Sequence, residues 1–203
     1  MPDEGDMKKT GRLGYLGIIM LVVAIVVVSL QFLQPNATPI NWVIRIAALM
    51  GYFCVFGAIV TSACLRQVVR WFGRPFIKVH HILSIVGLTL ATIHPLAVAW
   101  QALSLSVFIP AVDSWYRFLA LGGRPAWYLL VAGALAAVLR GVIGKNWRLL
   151  HTLNYLAFWL ATVHGILIGA SVQNWAMRVV FGVMALVVLG IWVQKRTSVR
   201  RWK

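Results

Sequence analysis

The chain has 203 residues, 61% of them hydrophobic and only 11% charged, with a formal net charge of +15. Soluble domains carry about 25% charged residues, so this deficit, together with several uninterrupted apolar runs of about 20 residues, excludes an ordinary soluble domain and predicts an integral membrane protein. The positive charges cluster in the short segments between apolar runs, as membrane topology requires, and nucleic-acid binding is the weaker reading.

Residues 1–12, MPDEGDMKKTGR, read as a short polar tail. The first predicted helix spans Leu13–Leu33. A basic start before an apolar run also describes a signal peptide, but this run is longer than a usual signal core and has no clear small-x-small cleavage site, so a retained helix is expected. The following loop contains the sequon Asn36-Ala37-Thr38, which matters only in a glycosylating host. The second helix is predicted over Trp42–Leu65, followed by the basic connection RQVVRWFGRPFIK, and the third over Lys78–Gln101. The segment Ala102–Arg124, rich in aromatic residues, reads as a partly embedded interfacial loop. In it, Asp113 and Arg117 have the i,i+4 spacing of a surface helix pair. The remaining helices are expected at Pro125–Val142, Trp147–Val172 and Trp175–Val193, before a basic tail over 194–203.

Six spans make an all-α transmembrane bundle with both termini on one side. That side would hold fifteen Lys and Arg residues, and the other only Arg45, Arg117, Arg124 and Arg178. The positive-inside rule therefore places both termini in the cytoplasm of a multi-pass cell (plasma or inner) membrane protein. The apolar runs are continuous rather than alternating, which argues against a barrel. Cys54 and Cys64, ten residues apart in one run, would stand about 15 Å apart on a helix and cannot pair with each other.

All five histidines lie in the third and fifth predicted helices: His80, His81 and His94 in one, His151 and His164 in the other. A separation of 13 or 14 residues is about 20 Å along a helix, too wide for one metal ion to be shared by the two histidines of a helix. It suits two stacked macrocycles, each iron gripped by one imidazole from each helix. In the expected topology these helices are parallel, which puts His94 and His164 at an outer level and His151 with His80 or His81 at an inner level. Helical phase favours His80: at about 100° per residue a 14-residue step returns close to the same face, whereas a 13-residue step misses by about 140°. His151 and His164 are themselves 13 residues apart, so the fifth helix must twist, bulge or aim its side chains differently.

Other residues around these levels carry two readings. Gly87 stands midway between His80 and His94, where it would let a macrocycle or neighbouring backbone approach closely, or is simply a glycine of the kind common in membrane helices and at their contacts. Ala157, Ala161, Gly165 and Gly169 are similarly ambiguous, and Pro95 should bend its helix beside His94. Arg74, Lys78, Lys145 and Arg148 border the inner level, where they would meet haem propionates or simply serve topology. Ser84, Thr92, Asn154 and Thr162 are candidates for orienting imidazoles, or for bonding their own backbone.

The stretch WRLLHTLNYLAFWLATVH, with its LH…YL…H pattern, and the TIH around His94 resemble the ferric-reductase-like transmembrane domain superfamily. The likeness extends to the haem-binding membrane subunits of the bacterial methionine sulfoxide reductase system and covers about the second to sixth helices. It implies haem ligation by His94, His151 and His164. The sulfoxide-reductase subunits carry arginines where this chain has His80 and His81. Here it is similar instead to the transmembrane domain of NADPH oxidases and ferric reductases, which implies two bis-histidine b haems. That branch carries a cytosolic flavin and nicotinamide domain, whereas only about ten residues follow the sixth helix here and no strand–GxGxxG–helix pattern occurs.

The expected function is electron transfer across the membrane as a subunit of an oxidoreductase, from a cytoplasmic flavoprotein or membrane quinol to an extracytoplasmic acceptor protein or small oxidant. The alternatives are a self-sufficient ferric or oxygen reductase working at the outer haem, and a haem-free transporter or scaffold. The four acids, Asp3, Glu4, Asp6 and Asp113, lie outside the predicted spans, which argues against carboxylate-based proton pumping.

Overall fold

The computed structural model describes residues 38–72 and 76–200, with side chains described for 38–63 and 78–197. The predicted first helix, the N-terminal tail, Arg74 and the end of the basic tail lie outside these. Among the described residues every regular element is helical.

Helix α1, Pro39–Phe72, begins three residues before its predicted start at Trp42 and runs seven residues past its predicted end at Leu65, taking in the first part of the basic connection. Proline occupies the first helical position, where its missing N–H costs nothing, and the Thr38 hydroxyl accepts from the Asn41 N–H at 3.4 Å. Helix α2, Phe76–Ala102, runs through Pro95 without ending. It lies against α1 over its whole length, from Ala58 beside His80 to Asn41 beside Gln101, whose amide donates to the Asn41 oxygen at 2.8 Å. Gly87 serves this contact: a Cβ there would stand 3.1 Å from Cys54 Cβ and 3.1 Å from Val55 Cγ2. Close approach of a neighbouring helix is what the glycine permits here.

The segment after α2 turns through Leu103 at φ 48°, an uncommon conformation for a side-chain-bearing residue. A 3₁₀ turn (Leu105–Phe108) and the short helix α3, Trp115–Ala120, follow. Ser114 caps α3, and Arg117 pairs with Asp113 as its spacing predicts. Trp100, Leu105, Val112, Trp115 and Tyr116 are exposed here, in keeping with an interfacial segment.

Helix α4, Gly123–Val138, gives way at Leu139 to the single turn α5, Arg140–Ile143, so the predicted helix Pro125–Val142 is shifted and shortened. After a 3₁₀ turn at Gly144–Asn146 come α6, Trp147–His151, and α7, Leu153–Ile168. The predicted continuous helix Trp147–Val172 is thus interrupted at Thr152, whose N–H contacts the carbonyls of Arg148, Leu149 and Leu150. The chain doubles back, bringing Gly123 beside His164 and Gly133 beside Asn154. The last helix, α8, Trp175–Arg200, begins with the Asn174 side chain accepting from the Ala176 N–H at 2.9 Å and runs beyond its predicted end.

The core forms where α1, α7 and α8 meet, around Leu49, Tyr52, Phe158, Phe181 and Val188. The Tyr52 ring is stacked on Phe158 at 4.7 Å and on Phe181 at 4.2 Å. Its hydroxyl is satisfied by Thr162 at 2.8 Å, so a polar tip is buried without an unmet hydrogen bond.

Outward, α2 and α8 present apolar side chains such as Ile82, Ile85, Leu96, Val183 and Leu186, the surface a bilayer requires. Among the described residues three helices are long and apolar enough to cross a membrane: Pro39–Ala63, Lys78–Ala102 and Trp175–Thr197. Gly123–Val138 and Arg140–Ile168 add a fourth only when taken together as one span bent by 78°. Helices α4 and α7 have 16 residues each, fewer than the ~20 that a straight span needs. The chain is a membrane protein in contact with lipid, all-helical in its described elements.

Candidate functional site

Four of the five histidines share one local arrangement. His80 on α2 sets Nδ1 2.8 Å from the Ala58 carbonyl and His94 sets Nδ1 3.0 Å from that of Ile44. His151 at the end of α6 does the same with Gly133 at 3.0 Å, and His164 on α7 with Ala120 at 2.7 Å. A carbonyl can only accept, so in each pair Nδ1–H donates. The neutral imidazole then keeps its lone pair on Nε2, the tautomer a metal ligand needs. The acceptors repeat the histidine spacing: 14 residues from Ile44 to Ala58 as from His80 to His94, and 13 from Ala120 to Gly133 as from His151 to His164. Each histidine helix copies its register from the neighbour it leans on.

His94 and His164 face one another with ring centres 6.4 Å apart and planes at 64°. With metal–nitrogen bonds of about 2.0 Å and about 1.1 Å from Nε2 to the ring centre, two axial imidazoles on one iron would have centres about 6.2 Å apart. Both rings line a cavity of about 470 Å³ between the two helical hairpins. Gly123 forms part of its wall against the imidazole: a Cβ there would come within 2.9 Å of His164 Cδ2 and 3.0 Å of Nε2.

Two arginines also line this cavity. Arg124 donates to the Ile109 carbonyl, whereas Nη1 of the half-buried Arg45 is itself buried and has no hydrogen-bond partner among the described residues. A buried, unpartnered nitrogen of a cation is costly and is well met by an anion.

At the other level, His80 lies within electrostatic reach of His151, His81 and Lys195. Lys195 itself donates to Ser62 Oγ at 3.2 Å, with its ammonium 5.8 Å from the Tyr155 ring centre. His81 is exposed, its ring centre 5.9 Å from that of His80, and it makes no hydrogen bond among the described residues. Asn154 stands 3.3 Å from His151 Nδ1 with its own oxygen buried and unpartnered. Turning the amide over would let that oxygen share the Nδ1 proton with Gly133.

Several expected helpers do other work. The Thr92 hydroxyl donates to the Leu88 carbonyl at 2.8 Å and accepts from the Trp127 indole at 3.0 Å. Thr162 donates to Phe158 O at 2.8 Å and bonds Tyr52. Neither touches an imidazole, because each is drawn to the nearest free carbonyl of its own helix. Gly165 faces the Phe181 ring. Arg148 lies over Trp147 at 5.8 Å and Lys78 is exposed.

Arg45, Gly123 and Lys195 are absent from the sequence-based set. Arg45 had a signal, as an arginine inside an otherwise apolar predicted span. Gly123 had none, because nothing in sequence brings it to His164.

Among the described residues no three His, Cys, Asp or Glu side chains converge. Paired imidazoles supply two axial donors and leave the other positions to a macrocycle, which is the donor set of a bis-histidine haem rather than of tetrahedral zinc. The ring spacing, the ligand-ready tautomers and the orphaned guanidinium all fit that group. No family model, curated protein or solved structure matches the chain.

Proposed function

We propose that the protein is a transmembrane electron conduit, the membrane subunit of a reductase system, with His94 and His164 holding an outer haem b and His80 and His151 an inner one. The observation that carries this reading is the fourfold repeat of Nδ1–H on a backbone carbonyl, which prepares four imidazoles at two levels while leaving His81 outside. Bound there, haem b supplies a one-electron couple at each level, linking a cytoplasmic flavoprotein or membrane quinol to an extracytoplasmic acceptor. The chain's own part is to fix the tautomers, hold the rings at ligand spacing and keep water from the space between levels. Phe158, Tyr52 and Phe181 fill that space, Phe158 being only 1% exposed. Six spans with cytoplasmic termini complete the proposal, since they put the basic connections on the side from which an acidic donor would approach.

The test is haem b per polypeptide in the purified full-length chain. About two are expected in the parent and about one in each of His80→Ala, His94→Ala, His151→Ala and His164→Ala. A colourless protein from haem-replete cells would end the proposal and favour a transporter or scaffold.

A further inference from the structure

Arg45 is the one arginine lining the outer cavity whose guanidinium has a buried nitrogen without a partner. Arginine stays charged under all physiological conditions, so burial cannot be relieved by losing a proton. Among the described residues the only acid, Asp113, is paired with Arg117. Arg124 on the same cavity is committed to Ile109 O.

The position of Arg45 is also specific. It follows Ile44, whose carbonyl receives His94, so the imidazole contact and the guanidinium are set by consecutive residues of α1. One turn nearer the helix start, the Asn41–Gln101 hydrogen bond lines the same end of the cavity. Most of the remaining wall is apolar, from Leu49, Val55 and Val98 to Leu130 and Ile168. An apolar disc with a carboxylate at its edge is the ligand shape these features describe. A guanidinium is the natural partner for that carboxylate, through two parallel N–H···O bonds.

We infer that Arg45 is the carboxylate anchor of the outer cavity and takes a propionate of the outer haem, an inference that rests on the haem reading above. The anchor fixes which edge of the macrocycle faces the Asn41–Gln101 end, and it gives the outer level a hold on its cofactor beyond the two imidazoles.

The experiment measures haem release from the full-length, detergent-solubilised protein to excess apomyoglobin. Parent and Arg45→Met are each loaded with protohaem or with its dimethyl ester, in which both carboxylates are blocked. With protohaem, one of the two release phases should quicken by about ten- to a hundredfold in the variant, the value of a charge-assisted hydrogen bond, while the other phase stays put and reports an intact fold. With the ester, parent and variant should release at the same rate. Acceleration that persists with the ester, or that affects both phases alike, overturns the inference in favour of a general structural role. Unchanged release in all arms overturns it in favour of a soluble carboxylate or another anion as the partner of Arg45. A parent that binds no haem at all is a different failure, and it removes the conduit reading itself.

Discussion

At the outer level two imidazoles face each other at 6.4 Å beside a cavity also lined by Arg45, one nitrogen of which is buried with no partner among the described residues. At the inner level the same carbonyl anchors are present, but the flanking groups differ. An exposed spare imidazole, His81, adjoins His80, Asn154 adjoins His151, and the nearby cation, Lys195, is already bonded to Ser62. The contrast separates two requirements that are easily merged. Preparing a ligand needs only a neighbouring carbonyl in register. Retaining a charged, amphipathic cofactor needs in addition a shaped space and an unsatisfied counter-charge.

The strongest way to break this comparison is to delete one level at a time. His164→Ala should halve the haem content, to about one per chain, and leave the remaining absorbance with the redox behaviour of the inner level. If His164→Ala and His151→Ala leave haems of identical midpoint potential, the two levels are not distinct. Next in size, Gly133→Ala acts at the inner level, where α4 meets Asn154 of α7. Its Cβ would lie 2.3 Å from Asn154 Oδ1, and such overpacking costs about 1–3 kcal/mol. Thermal unfolding should show that loss, with the His151-dependent haem released first.

Gly123→Ala sharpens the outer side. A methyl pressed on the His164 ring should shift the low-spin electron paramagnetic resonance signal of one haem while total haem stays near two. Unaltered spectra would mean that the ring yields freely. Thr162→Val removes the partner of the Tyr52 hydroxyl, two residues before His164. The cost should be about 1–3 kcal/mol of unfolding free energy, with both haems retained. Smallest of all, His81→Ala should leave haem content unchanged. Loss of the inner haem in that variant, rather than in His80→Ala, would exchange the two assignments.

The sequence showed the α2 span nearly to its ends, because an apolar run bounded by basic residues has only one membrane reading. It showed the histidine levels because spacing along a helix is simple arithmetic. The phase argument for His80 agrees with the carbonyl bond that His80 makes and His81 lacks. The 13-residue step from His151 to His164 posed a difficulty that sequence could state but not resolve. The interruption at Thr152 lies between them: the Tyr155 N–H bonds the Thr152 carbonyl only three residues back, and such a tightened turn is where helical phase can be reset. It was not legible because Thr152 and Leu153 carry no breaker residue. For Thr92 and Thr162 the second of the two readings holds, bonding to their own backbone. A hydroxyl in a helix bonds its own carbonyl unless geometry forbids it, and geometry is what a sequence withholds.

The anchors at Ile44, Ala58, Ala120 and Gly133 are main-chain oxygens, which no amino-acid replacement can delete. Evolution can therefore rewrite those four positions with any side chain that fits and still deliver a correctly protonated imidazole. What it cannot do is slide either hairpin by a residue, since that would disarm two histidines at once. Insertions and deletions, rather than point changes, are the genetic lesions to which this architecture is most vulnerable.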